Sequence, residues 1–236
     1  MKKNMKGIKM FLAAHHFLWT YPKNRRILAS SIDIGKRNAR GEPLWKWIQR
    51  IAALKEKKIV WDPFHEVFFG MSIDGTDYRT FKEKHPVFNK NPKTYSQKFN
   101  HGALKYEVGL SIFKSKCVWI NGPFRGGKSD IDIFRAGLKK KCKDLNFVMI
   151  ADGGYQTSAD DEKHKFSIPD KMDSKELYNF KTRVRSRHEA FNGRLKKFEC
   201  LNNTFRHGTK KHKYAFEAVV VIVQYQMDNG SPLFAH

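Results

Sequence analysis

This 236-residue chain predicts an α/β fold, a mixed sheet flanked by helices with a helical module in front of it. Three observations lead there: helical periodicity through the first sixty residues, a change to short apolar runs near Phe68, and a return to long helices after Ser174. With 40% hydrophobic and 14% aromatic residues, the chain can bury one sizeable core.

The elements follow in order. Lys9 to Trp19, Lys23 to about Ile32, and Pro43 to about Lys57 read as helices, the last keeping the apolar residues of LWKWIQRIAALKEKK on one face. Between the latter two, SSIDIGKRNARGEP carries turn residues beside Lys36, Arg37 and Arg40. That pattern suits a DNA-binding helix-turn-helix and equally a plain helical cap. The segment Trp61 to Phe64 marks a boundary, giving a helical module over 1–60 and a larger α/β domain over 61–236.

Phe68 to Asp74 reads as a strand that ends at Gly75, and Tyr106 to Phe113 with Cys117 to Asn121 as a hairpin through KSK. A helix from Ile131 to Lys141, capped by Ser129 or Asp130, precedes the strand Phe147 to Ala151. A polar loop from Thr157 to Ser174 leads to a long helix from Ser174 to Phe198, and AFEAVVVIVQYQM forms a packing helix. Three strands, a helix, a fourth strand and terminal helices make an order consistent with a ribonuclease-H-like core.

Charge narrows the function. Forty-six Lys plus Arg against 23 Asp plus Glu leave a formal net charge of +23, a field that attracts phosphate backbones with little sequence preference. Cys117, Cys142 and Cys200 are odd in number and form no C-x-x-C pair, which points away from disulfides and structural zinc. No apolar run is long enough for a membrane span.

In so basic a chain, three acids stand out. Asp74 in SIDGT and Asp152 in FVMIADGGY end apolar runs, and Glu189 lies in the arginine-rich helix RVRSRHEAFNGRLKKF. Carboxylates on rigid elements are what Mg²⁺ or Mn²⁺ needs, and two ions roughly 3.5–4 Å apart serve phosphodiester chemistry. Placing the first and fourth predicted strands side by side would bring Asp74 and Asp152 together beneath the helix of Glu189. Asp77 is the alternative to Asp74, a turn is the plainer role for Asp152, and a surface ion pair with Arg185 is that for Glu189. On the Glu189 face, Arg185 and Lys196 are expected to hold phosphates. Arg187 and Arg194 form a solvated face or more distant backbone contacts.

SIDGTDYRT, KYEVGLSIFKSKCVWINGPFRGGKSDIDIF, IADGGY and RVRSRHEAFNGRLKKFECL, in this order, resemble the Harbinger-type DDE transposases and related superfamily endonucleases. The resemblance runs from about Phe68 to the C-terminus. It implies a ribonuclease-H-like fold, Asp74, Asp152 and Glu189 as the metal-binding triad, and Mg²⁺-dependent strand cleavage and transfer on duplex DNA at transposon ends. GKSDIDIF matches a family segment in which Ser129 stands where His is usual, leaving Asp130 as either a site acid or a helix cap. The resemblance further implies a nuclear location, with an accessory DNA-binding protein and a homo-oligomer as additional partners.

Two alternatives follow. One is a transposase-derived protein that binds DNA without cutting it. The other is a nucleotide-binding loop, because GPFRGGKS satisfies the G-x-x-x-x-G-K-S spacing between a predicted strand and helix.

Overall fold

The computed structural model describes residues 2–23, 30, 32, 41–62, 68–81, 95–96, 98–99, 101–143 and 145–234. Lys36, Arg37 and Arg40, and most of the helix expected from Lys23 to Ile32, lie outside the described residues.

A mixed sheet forms the centre. Its strands are β1 (Phe69–Arg79), β2 (Tyr95–Ser96), β3 (His101–Ser111), β4 (Cys117–Arg125), β5 (Val148–Ile150) and β6 (Phe166–Ser167), in the order β2–β3–β1–β5–β6 with β4 also paired to β3. β1 runs antiparallel to β3 and parallel to β5, and β6 is parallel to β5. The first and fourth predicted strands are therefore neighbours, β6 being a strand that the polar loop had concealed.

One expectation is corrected. β1 does not stop at Asp74 but continues to Arg79, pairing Gly75 with Glu107 and Asp77 with Lys105. Ladder hydrogen bonds from β3 override the turn tendency of Gly75, so Asp74 sits in mid-strand.

The sheet is covered on both faces, as the two-residue strand period allows. On β3, Tyr106, Val108 and Leu110 face a cluster built with Phe191 and Phe216, while from β1 Met71 and Ile73 face Phe134 and Leu138. The second face is closed by α4 (Asp130–Ala136) and α5 (Leu138–Lys141). The first is closed by α6 (Lys175–Lys196), α7 (Glu199–Asn202) and α8 (Thr209–Asp228). The N-terminal helices α1 (Lys2–Thr20), α2 (Glu42–Ala53) and α3 (Lys55–Lys58) precede them in the chain. Phe17 of α1 and Trp45 of α2 belong to the same apolar cluster as Tyr106, Phe205 and Phe216, so the N-terminal helices pack on the sheet's own helical layer.

Helix ends follow local chemistry. Ser174 accepts the Leu177 N–H at 3.2 Å, with Glu176 in the first turn of α6 and Arg194 and Lys196 in the last, each sign suited to the helix dipole. No helix among the described residues is long and apolar enough to cross a membrane.

Candidate active site

Where β1 and β5 lie side by side, α6 crosses the sheet and a pocket of about 720 Å³ opens. Asp74 from β1, Asp152 just after β5 and Glu189 from α6 all line it. The three acids chosen from sequence thus share one cavity, Glu189 on its exposed rim.

Asp74 is anchored from α6: Asn192 Nδ2 donates to its Oδ2 at 2.8 Å. Asp152 accepts the Gly154 N–H on Oδ1 at 2.9 Å, so the Asx-type turn expected of it exists and its carboxylate still faces the pocket. Beneath α6, His188 Nδ1 and Ser72 Oγ are 3.0 Å apart, tying helix to strand. Burial, reinforced by Arg185, pushes the His188 imidazole down to about 3, so it is neutral there.

Two further acids enter from the opposite face. Asp130, the first residue of α4, and Asp77, three positions beyond Asp74, also line the cavity. Lys105 Nζ stands 3.2 Å from Asp130 Oδ1 and 4.0 Å from Asp77 Oδ1. Asp77 Oδ2 accepts from Ser96 Oγ at 2.5 Å, while its buried Oδ1 has no hydrogen-bond partner. The cap of α4 is Ser129, whose Oγ accepts the Asp132 N–H, so the Asp130 carboxylate is not used as a cap.

The electrostatics follow from this crowding. Burial raises the Asp74 carboxyl to about 7, with Asp152 and Asp130 adding repulsion; the Asn192 hydrogen bond and Arg185 offset only part. Burial likewise raises Asp130, against the opposing pull of Lys105.

Among the described residues, no three His, Cys, Asp or Glu side chains are gathered closely enough to hold an ion as they stand. The donor set nonetheless fits a hard divalent cation. It is all oxygen, its members repel one another, Asp77 Oδ1 is buried without a donor, and the bare Cα of Gly154 lets the Asp130 and Asp152 carboxylates come close on either side of it. A Cβ added there would stand 2.5 Å from Asp130 Oδ2 and 3.1 Å from Asp152 Oδ1.

The basic residues divide by helix face. Arg185 and Lys196 line the pocket with His188, Glu189 and Asn192, positions that share one face at helical spacing. Arg187 and Arg194 serve elsewhere: Arg187 donates to the Ile112 carbonyl at 2.9 Å and stacks on Phe234, and Arg194 donates to the Ser231 and Pro232 carbonyls. Asn192 and Lys105 were missed in the sequence. For Asn192 a signal existed, since it follows Glu189 by three and Arg185 by seven; Lys105 carried none, because its role depends on β1–β3 register.

GPFRGGKS does not form a phosphate-cradling loop. Gly122 to Arg125 belong to β4, with Phe124 and Arg125 paired to Lys105 and Leu104, and Lys128 lies over the Phe124 ring at 4.4 Å.

No curated protein and no solved structure shows a significant match to this chain. The family model of the DDE superfamily endonucleases matches residues 73–224, a span that opens one residue before Asp74 and takes in Asp130, Asp152, Glu189 and most of α8. It covers well over half of the chain, which therefore belongs to the DDE superfamily endonuclease family.

Proposed function

We propose that this protein is a DDE transposase, or an endonuclease derived from one, that cleaves and transfers DNA strands in a ribonuclease-H-like catalytic domain. The observation that carries the proposal is the shared cavity of Asp74, Asp152 and Glu189, three acids far apart in sequence, walled by Arg185 and Lys196. The strand order supports the fold reading, with β1, β3 and β4 antiparallel, the short β2 added at the edge of β3, and β5 and β6 parallel to the first.

In this mechanism Asp74, Asp152 and Glu189 would hold one or two Mg²⁺ or Mn²⁺ ions. When bound there, such ions would supply activation of a water or a DNA 3′-hydroxyl for in-line attack and stabilisation of the leaving oxygen. Asn192 keeps the Asp74 carboxylate turned by its hydrogen bond to Oδ2. Arg185 and Lys196 bind strand phosphates beside the acids and lower the repulsion an incoming polyanion meets. Lys98, from the segment before β3, extends that wall.

A nicking assay on duplex DNA with Mg²⁺ or Mn²⁺ tests the reading. Nicking by the native chain, abolished in Asp152→Asn with duplex binding retained, is the expected result. Nicking that survives in Asp152→Asn overturns the assignment. Tight duplex binding with no nicking in either ion identifies a DNA-binding protein that does not cut.

A further inference from the structure

Asp130 has no place in the triad, yet its carboxylate lies close against two glycines that flank the triad's aspartates. It comes from α4, on the opposite side of the sheet from α6, and its side chain is 19% exposed. One oxygen faces each of the two acid-bearing segments. Oδ1 lies against the bare Cα of Gly75, the residue after Asp74, where any Cβ would collide with it. Oδ2 lies against Gly154, whose added Cβ would stand 2.5 Å away, and the Gly154 N–H is the group that holds Asp152 Oδ1. Both glycines are required by this close approach.

A third carboxylate so near two others is electrostatically costly unless a cation accompanies it. Lys105 is that cation. Its side chain is 14% exposed, its Nζ stands 3.2 Å from Asp130 Oδ1, and its Cα is paired across the β1–β3 ladder with Asp77. Helix capping does not account for the arrangement, since Ser129 already supplies the cap.

We infer that Asp130, held by Lys105, is a positioning residue: it is wedged between the backbone beside Asp74 and the turn of Asp152 and sets the separation and orientation of those two carboxylates. The inference rests on the metal-site reading above, because the separation matters only if Asp74 and Asp152 act on a common ion. It assigns Asp130 a role distinct from that of a ligand. The wedge works through shape and through its bond to Lys105, so the amide of asparagine, which keeps that shape and an oxygen for Lys105, does most of the same work.

The test compares Asp130→Ala, Asp130→Asn and Gly154→Ala, the last displacing Asp130 Oδ2 and Asp152 Oδ1 while removing no charge. Two readouts are taken: Mn²⁺ binding to the full chain by calorimetry, and the amide resonance of Gly154, which reports its hydrogen bond to Asp152 without any metal. Circular-dichroism melting confirms folding of each variant. Asp130→Ala and Gly154→Ala are expected to weaken Mn²⁺ binding by about tenfold and to shift the Gly154 resonance, with Asp130→Asn near native in both. Equal damage from Asp130→Asn and Asp130→Ala makes Asp130 a direct ligand and overturns the inference. So does a Gly154 resonance that stays put in Asp130→Ala. If the native chain binds no Mn²⁺, the metal-site reading fails, and the Gly154 resonance still decides whether Asp130 positions Asp152.

Discussion

Asp74 and Glu162 are both withdrawn from water, and their surroundings treat them in opposite ways. Glu162, in the loop before β6, has a side chain only 2% exposed and receives Arg135 at 2.7 Å and Lys139 at 2.7 Å from α4 and α5. Hydrogen bonds from Arg135, aided by Lys139, pull its carboxyl down to about 2. Asp74 has Asn192 and more acids for company, and its carboxyl rises to about 7. The chain has cations in large excess, so the shortage around Asp74 is a matter of placement. A buried carboxylate supplied with counter-charge is tied into the scaffold, whereas one left among other acids keeps a perturbed pKa of the kind found at functional sites.

The sharpest way to break this contrast is activity. Glu189→Gln should eliminate divalent-ion-dependent nicking, whereas Glu162→Gln should leave it in place at 25 °C, measured on the same duplex. Reversed outcomes would move the functional centre to the wrong carboxylate.

Stability should respond the other way round. Glu162→Gln is expected to cost about 2 kcal/mol, less than a fully buried pair because both cations keep their water, and to lower the melting temperature by about 5 °C. Since the folded state holds Glu162 below its ordinary 4.5, its contribution is complete above that value and is lost as pH falls through about 2. The native protein should therefore lose more stability in that acid window than the variant, in which only the other depressed carboxylates, such as Asp173, still titrate.

Asp74→Asn should instead raise the melting temperature of the metal-free protein at pH 8 by a few degrees. Asp74 and Glu107, the latter buried beside Trp119 Nε1 at 2.8 Å, are both raised to about 7 from 3.8 and 4.5. They bind protons more tightly folded than unfolded, so stability falls as pH climbs from those ordinary values to about 7. Removing Asp74 should flatten that slope, read as melting temperature against pH. A lower melting temperature in Asp74→Asn would mean that the cavity's repulsion is already offset.

The smallest effects concern phosphate contacts. Arg185→Ala and Lys196→Ala should each reduce the slope of log affinity against log salt by about 0.9, and Arg187→Ala and Arg194→Ala should leave it unchanged. Filter binding over a salt series distinguishes the two pairs, which differ only in the face of α6 they occupy.

Much of this was written in the sequence. Short-range signals carried it: the cap of α4, the start of α6 at Ser174, the β3–β4 hairpin, the apolar run before Asp152, and the helical face of Arg185, Glu189 and Lys196. What escaped depends on strand register and cross-sheet approach. Gly75 looked like a turn because its real partner, the Asp130 carboxylate, lies 55 positions away and on another element. Lys105 looked like one lysine among many until the ladder set it opposite Asp77. Arg187 and Arg194 matched the composition of a DNA-binding surface, yet backbone carbonyls of Ile112, Ser231 and Pro232 take their donors.

The apolar cluster shared by Phe17, Trp45, Tyr106 and Phe216 has a mechanical consequence. Tyr106 is the neighbour of Lys105 on β3, and its ring stacks on Phe216 of α8 with centroids 3.8 Å apart. Interiors this tightly packed resist compression and transmit displacement as rigid bodies do. A load applied to α1 or α2 thus has a short, stiff route through aromatic rings to the strand that carries Lys105, and through Lys105 to Asp130 at the cavity.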